Sequence, residues 1–403
     1  MSLTQRFLQR ALCLSLALCC LQAVAGAREQ ALQIHSRVAG VPPTEAVLLE
    51  MTNHIDNNDV AAAVRLAMDN DGFYRATLKA MATPWTNRDL TPFAPLNDYT
   101  ATVMGLVRDE RDFRTLLYDD VLYTGADNLG LPPYSSANNE HYQALETADV
   151  ALVDALSAKT QSSLTALPSE ATAGVITSRA AAKAFFVAGT NRAMFRFTLL
   201  NHLCRDLEQV HDTTGIPDRI RQDVSRSPGG DSRVFLNNCI GCHTGMDPMA
   251  QAFAYYDYEY DPNTDPDAEF GAIHYNLEGE TDPATGTRVE AKYHINAGTF
   301  APGYVTPNDE WDNYWRRGPN AILAWDPTLA GEGTGAKSLG QELAHSGAFA
   351  SCQVEKVFNQ VCLRQPGNSA DRALVTNATA NFAASGYNLK QVFIDTADYC
   401  KGE

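Results

Sequence analysis

Cys239, Cys242 and His243 stand in C-x-x-C-H spacing, within Cys239-Ile240-Gly241-Cys242-His243. Two thiols three positions apart can add to the two vinyl groups of one haem, and the adjacent imidazole can bind its iron. The chemistry implied is one covalent haem c, tethered by Cys239 and Cys242, with His243 as an axial iron ligand. Chance explains the motif poorly. With 9 Cys and 9 His in 403 residues, random placement gives on the order of 0.004 such motifs. A disulfide or half of a zinc site would use the same cysteine spacing. Zinc needs two further ligands, and the chain has no second C-x-x-C and no H-x3-5-H.

The opposite axial position decides what a haem does. A sixth ligand favours electron transfer, and a vacancy lets the iron bind a small molecule. The distal candidates are His294, His345 and Met249, since no Met follows Met249. Met246 lies three residues beyond His243, on the same side of a helical turn, and reads as packing against the ring edge. Tyr255-Tyr256-Asp257-Tyr258-Glu259-Tyr260 reads as aromatic packing, with a radical relay as the alternative. The acidic loop 261–269 has Asp261, Asn263, Asp265, Asp267 and Glu269 in a calcium-loop composition. Pro266 and Ala272 stand where such a loop wants Gly and a bidentate Glu, so a solvated acidic loop is the plainer reading. No Gly-rich phosphate loop or G-x-S-x-G elbow is present.

The elements that must position these residues begin with a leader. Arg6 and Arg10, an apolar run from Ala11 to Leu21, and small residues at Ala23-Val24-Ala25 and Ala25-Gly26-Ala27 form the pattern of a signal peptide over 1–27. The expected location is periplasmic or secreted. No later segment has 18 apolar residues in a row, so no membrane span is expected. Without Arg6 and Arg10, 29 basic face 48 acidic residues, a net charge of −19. That argues against nucleic acid and suits a redox protein partner of basic surface. Cys13, Cys19 and Cys20 leave with the leader. Cys204, Cys352, Cys362 and Cys400 then remain as disulfide candidates.

The fold class expected is mainly α: a helical N-terminal region and a helical c-type haem region with a small β-hairpin insertion. The divisions are 28–172 (helical N-terminal region), 173–268 (haem attachment), 269–345 (hairpin and loop insertion) and 346–403 (C-terminal helices). Thr44 caps a helix through Met51; 59–68, 73–81, 99–117, 146–158, 178–204 and 216–226 read as helical. Residues 269–300 alternate like strands around a turn at Thr281-Asp282-Pro283-Ala284-Thr285-Gly286, and 311–335 reads as loop. Helices are expected over 349–363, 369–385 and 388–400. If these three run up, down and up, Cys362 and Cys400 share one end, which leaves Cys204 for Cys352.

The segment Cys239-Ile240-Gly241-Cys242-His243-Thr244-Gly245-Met246-Asp247-Pro248 resembles the C-x-x-C-H-x-x-M-D-P signature of the planctomycete-type cytochrome c domain family. Tyr256 and Asp257 match that family's following aromatic and Asp, while Ala250 and Ala254 stand at its Gly and Glu positions. Ala173-Gly174-Val175-Ile176-Thr177 looks like its upstream segment, and Phe349 to Cys362 resembles its C-terminal helical region. The resemblance covers about residues 100–403 and implies an exported haem protein. The function expected is a one-haem c-type cytochrome passing single electrons to or from a protein partner. The alternatives are a haem enzyme of oxidase or peroxidase type acting on a small-molecule substrate, and an accessory binding component of an exported complex. Whether the chain is an enzyme stays open at this point.

Overall fold

The computed structural model describes residues 25–187, 189–221, 224, 232–294 and 303–402; the expected leader lies outside them through residue 24. Helices α1 (Ala27–Val38), α2 (Glu45–Asp56) and α3 (Val60–Met68) open the chain. Thr44 Oγ1 accepts from the Val47 amide at 3.4 Å and Asp59 Oδ1 from the Ala62 amide at 3.1 Å. Each cap satisfies an amide that the first turn leaves open. Pro84 stands in a 3-10 turn, Thr83–Thr86, just past the end of the next helical run. Helix α4 (Asp98–Arg108) is capped by Asn97 and buried from Asp98 through Val107. It stops short of the expected 99–117, because Glu110 takes a left-handed φ of 51°. A 3-10 turn, Phe113–Leu117, follows.

Strand β1 (Leu122–Gly125), helix α5 (Glu140–Thr147) and strand β2 (Leu156–Lys159) come next. The helix read over 146–158 is therefore corrected in part: residues 146–147 end α5 and Leu152–Ala155 is one helical turn, but the rest is not helix. Residues 156–159 pair antiparallel with β1, Tyr123 facing Ala158. A short Ala- and Leu-rich run does not distinguish strand from helix by period alone, and the partner strand decides. Residues 178–204 form two helices, α6 (Arg179–Phe185) and α7 (Arg192–Leu203), with Asn191 at φ 60° between them. The helix expected over 216–226 is also corrected where it is described. Pro217–Arg219 is a 3-10 turn, and the Ile220 carbonyl accepts from the Tyr304 amide at 2.8 Å. Residues 222–223 and 225–226 lie outside the described residues.

Helices α8 (Ser232–Asn238) and α9 (Ile240–Ala250) carry the C-x-x-C-H segment. Strands β3 (Tyr256–Glu259) and β4 (Ala272–Tyr275) then make a hairpin, Tyr256 facing Tyr275. Its turn is the acidic loop, not residues 281–286. Asp282 does close a tight turn, accepting from Gly286 at 2.9 Å, but no described strands flank it. Within the stretch read as loop, β5 (Glu310–Asp312) pairs with β6 (Glu332–Thr334). Helices α10 (Gly335–Ala344), α11 (Gly347–Cys362), α12 (Ser369–Ala384) and α13 (Leu389–Cys400) close the chain, the last three as expected.

The architecture is mainly α, with three two-stranded sheets among the described residues. One contiguous apolar core runs from Ala31 to Ala397. Phe73 meets Phe393 edge-on at 4.9 Å, joining the first helices to the last. Cys204–Cys352 ties the end of α7 to α11 with Cα atoms 5.3 Å apart, and Cys362–Cys400 ties α11 to α13 at 5.6 Å. This is the connectivity expected from antiparallel terminal helices. No described helix is long and apolar enough to cross a membrane.

Candidate functional site

Cys239 sits at the junction of α8 and α9, with Cys242 and His243 in the first turn of α9. Both thiols are half-buried and stand outside the two disulfides. Cys239 and Ile240 pack against an apolar patch of Ile220, Val224 and Phe235, while Cys242 Sγ meets the Leu207 carbonyl at 3.5 Å. The Phe235 ring lies 6.2 Å from the His243 ring. Burial, with Glu208 beside it, pushes the Cys242 thiol pKa up.

Helical spacing puts His243 and Asp247 on one face of α9. The His243 Nδ1–H faces both carboxylate oxygens of Asp247, at 3.1 and 3.2 Å, so Nε2 is the nitrogen left for other chemistry. The Asp247 side chain is fully buried. Arg192, the first residue of α7, grips it with Nε at 2.7 Å and Nη2 at 2.9 Å. The Arg221 amide adds a longer bond at 3.3 Å. Burial alone would raise the Asp247 carboxyl pKa; Arg192 and His243 overcome that and hold it well below the usual carboxylate range.

Several contacts fix Arg192 in place. Thr190 Oγ1 accepts from Arg192 Nη1 at 2.9 Å and from Arg221 Nη2 at 2.7 Å. Asn191 donates to the Phe253 and Tyr256 carbonyls at 2.9 and 2.8 Å, which binds the start of α7 to the segment after α9. The Arg221 guanidinium lies 4.3 Å over the Tyr293 ring.

The other side of α9 is packed through its glycines. A β-carbon on Gly241 would stand 2.4 Å from His211 Nε2. The Thr244 hydroxyl donates to the Asp212 carbonyl at 3.0 Å. Beyond it lies a cavity of about 490 Å³ whose lining includes Asp212, Gly215, Tyr314, Arg316 and Glu332, and none of Cys239, Cys242 and His243.

The remaining sequence candidates are placed as follows. Met246 and Met249 are buried in the main core. His294 Nε2 bonds the Thr306 carbonyl at 3.0 Å. His345 Nδ1 bonds the Gln341 carbonyl at 2.8 Å, with its ring 5.6 Å from Tyr118. None of the four shares a hydrogen bond or ring contact with His243. Tyr256 and Tyr258 pack in the core and donate to the carbonyls of Ala171 and Ala268 at 2.6 and 2.9 Å. In the acidic loop, Asp261 accepts from the Asn263 amide and Asp265 from the amides of Glu269 and Phe270. These carboxylates shape the hairpin turn.

Sequence reasoning gave Asp247 no role, although its place four residues after His243 on a helix was readable. Arg192, 55 positions upstream, left no signal in the sequence. Among the described residues, no three His, Cys, Asp or Glu side chains converge on a metal-ion site. A haem brings its own four nitrogens and asks the chain for an imidazole, which His243 can offer, and for thiols, which Cys239 and Cys242 can offer. Comparison of the chain with family models, curated proteins and solved structures gave no match.

Proposed function

We propose that this chain is an exported one-haem c-type cytochrome that exchanges single electrons with a protein partner. One observation carries the reading: His243 is held through Nδ1 by a buried carboxylate, beside two thiols outside the disulfides. A haem supplies the one-electron iron centre here. Cys239 and Cys242 hold it through thioether bonds, and His243 offers Nε2 to the iron. Asp247 fixes the ring tautomer and orientation. Ile220, Val224 and Phe235 give an apolar flank that excludes water. The net charge of −19 without Arg6 and Arg10 suits a basic partner at long range. The two disulfides accord with an oxidising compartment and so with export. Membership of the planctomycete-type cytochrome c domain family, which the motif resembles, belongs to the same proposal.

A second reading is a haem enzyme of oxidase or peroxidase type acting on a small molecule. The engagement of His294 and His345 elsewhere, and of Met249 in the core, favours it, because each distal candidate already has another role.

Haem retention tests the shared premise. Purified protein should keep its haem through denaturing electrophoresis, and Cys239→Ser with Cys242→Ser should lose it. Haem that extracts completely into acid-acetone from the native protein would overturn the proposal.

A further inference from the structure

We infer that Asp247 is a positioning residue that sets how strongly His243 donates to the haem iron, and that Arg192 governs how much of that donation is released. The inference rests on the haem c reading and deepens it.

The argument starts from the partner of the ring N–H. An imidazole whose Nδ1–H points at a neutral carbonyl is an ordinary donor at Nε2. A carboxylate in that place draws the proton harder and gives the ring imidazolate character, which raises ligand basicity. A more basic axial ligand stabilises ferric over ferrous iron and lowers the reduction potential. In this chain the partner is a carboxylate, and its side chain is fully buried, so water does not dilute the effect.

Asp247 is not given wholly to His243. Arg192 holds its two oxygens at 2.7 and 2.9 Å, while His243 Nδ1 sits at 3.1 and 3.2 Å and the Arg221 amide at 3.3 Å. Charge-assisted bonds strengthen as they shorten, so the guanidinium takes the larger share of the carboxylate. The ring nitrogen divides its contact between the two carboxylate oxygens at nearly equal distances. Arg192 thus acts as a brake: loosening its grip frees Asp247 to bind His243 more tightly. The brake is built on α7 and the ligand on α9, tied by Asn191, so the spacing of the two elements is read at the iron.

The test uses full-length haem-loaded protein and two variants that move the property in opposite directions. Asp247→Asn keeps the shape and removes the charge. Its reduction potential should rise. Arg192→Lys keeps the positive charge and removes the two-pronged grip. Its potential should fall. A merely structural role for both residues would move both variants the same way, or neither.

A potential for Asp247→Asn equal to wild type, or shifts of the same sign in both variants, overturns the inference. If Asp247→Asn does not accumulate folded, Arg192→Lys alone decides, and an unmoved or raised potential rejects it. Haem staining of the wild type comes first. Absence of covalent haem rejects the cytochrome reading and this inference together, whereas haem-loaded protein with unmoved potentials rejects this inference alone.

Discussion

The indole of Trp315 lies against the Cα of Gly245, so close that a β-carbon there would stand 1.9 Å from Nε1. Gly245 is in the middle of α9, two residues past His243. Propensity alone favours Ala over Gly in a helix interior by about 1 kcal/mol. The contact opposes this, because Trp315 is buried and packs on Phe195 at 5.8 Å with little room to withdraw. Overpacking of this kind costs about 1–3 kcal/mol. Gly245→Ala should therefore lower the chemical-denaturation midpoint and shift tryptophan emission to the red. A variant as stable as wild type, with unchanged emission, would show that Trp315 moves aside freely.

Removing either disulfide should destabilise the chain substantially. Cys204–Cys352 spans 148 positions and Cys362–Cys400 spans 38. Chain entropy assigns these closures about 5 and about 4 kcal/mol respectively, as upper values. Cys204→Ala with Cys352→Ala should cost at least as much as Cys362→Ala with Cys400→Ala, measured by urea unfolding. The pairings themselves are read by non-reducing peptide mapping. A link between Cys352 and Cys400 would reverse the assignment.

The terminal helices and their cross-links were legible because local signals and geometry agreed. Ser346 caps α11, Asn368 and Asp371 form a capping box for α12, and Asn388 caps α13. Ten positions along α11 also put Cys352 and Cys362 too far apart to bridge. That Cys239, Cys242 and His243 gather at one helix start was legible from spacing alone. Residues 156–159 were not, since their strand exists through β1, more than thirty positions away. Arg192 was hidden for the same reason: its partner lies 55 positions downstream, and an arginine at a helix start carries no mark of what it will grip. Local periodicity reports helices and caps; it does not report which buried charges meet.

Stability should fall as the medium turns acid, in part through His202. Burial, with Lys356 nearby, pushes this imidazole down to about 3 from an ordinary 6.5. The Tyr99 hydroxyl and Nε2 share a hydrogen bond of 2.6 Å. Between about 6.5 and 3 the unfolded chain binds a proton that the folded chain refuses, so this contribution is complete above 6.5 and is lost as the pH falls. One such group changes the folding constant by about tenfold per pH unit. Glu290 works in the opposite sense. Burial, with Asp257 beside it, pushes its carboxyl up to about 7, so its contribution is lost as pH rises from about 4.5 towards 7. The clean measurement is therefore a difference. His202→Gln should flatten the slope of stability against pH between 6 and 4 by about one proton. An unchanged slope would mean that His202 accepts a proton in the folded chain.

The state of the iron separates the carrier from the enzyme. A carrier works best when both redox states keep the same six ligands, because unchanged ligation keeps reorganisation small. Such a protein should be low-spin when oxidised and when reduced, and should bind carbon monoxide slowly or not at all. An enzyme needs a position open to its substrate, so its ferrous form should be five-coordinate or hold a labile sixth ligand and take up carbon monoxide rapidly. The chain gives each reading a motive. A single C-x-x-C-H is most simply an electron carrier, whereas about 400 residues far exceed the roughly 100 that one haem requires. The expected outcome under the leading proposal is a six-coordinate low-spin spectrum in both states. Substituting His294 and His345 by Ala, one at a time, then tests each as the sixth ligand. Loss of the low-spin spectrum in one variant would identify that ligand. A high-spin ferrous spectrum in the wild type, with fast carbon monoxide uptake, would replace the carrier by the enzyme.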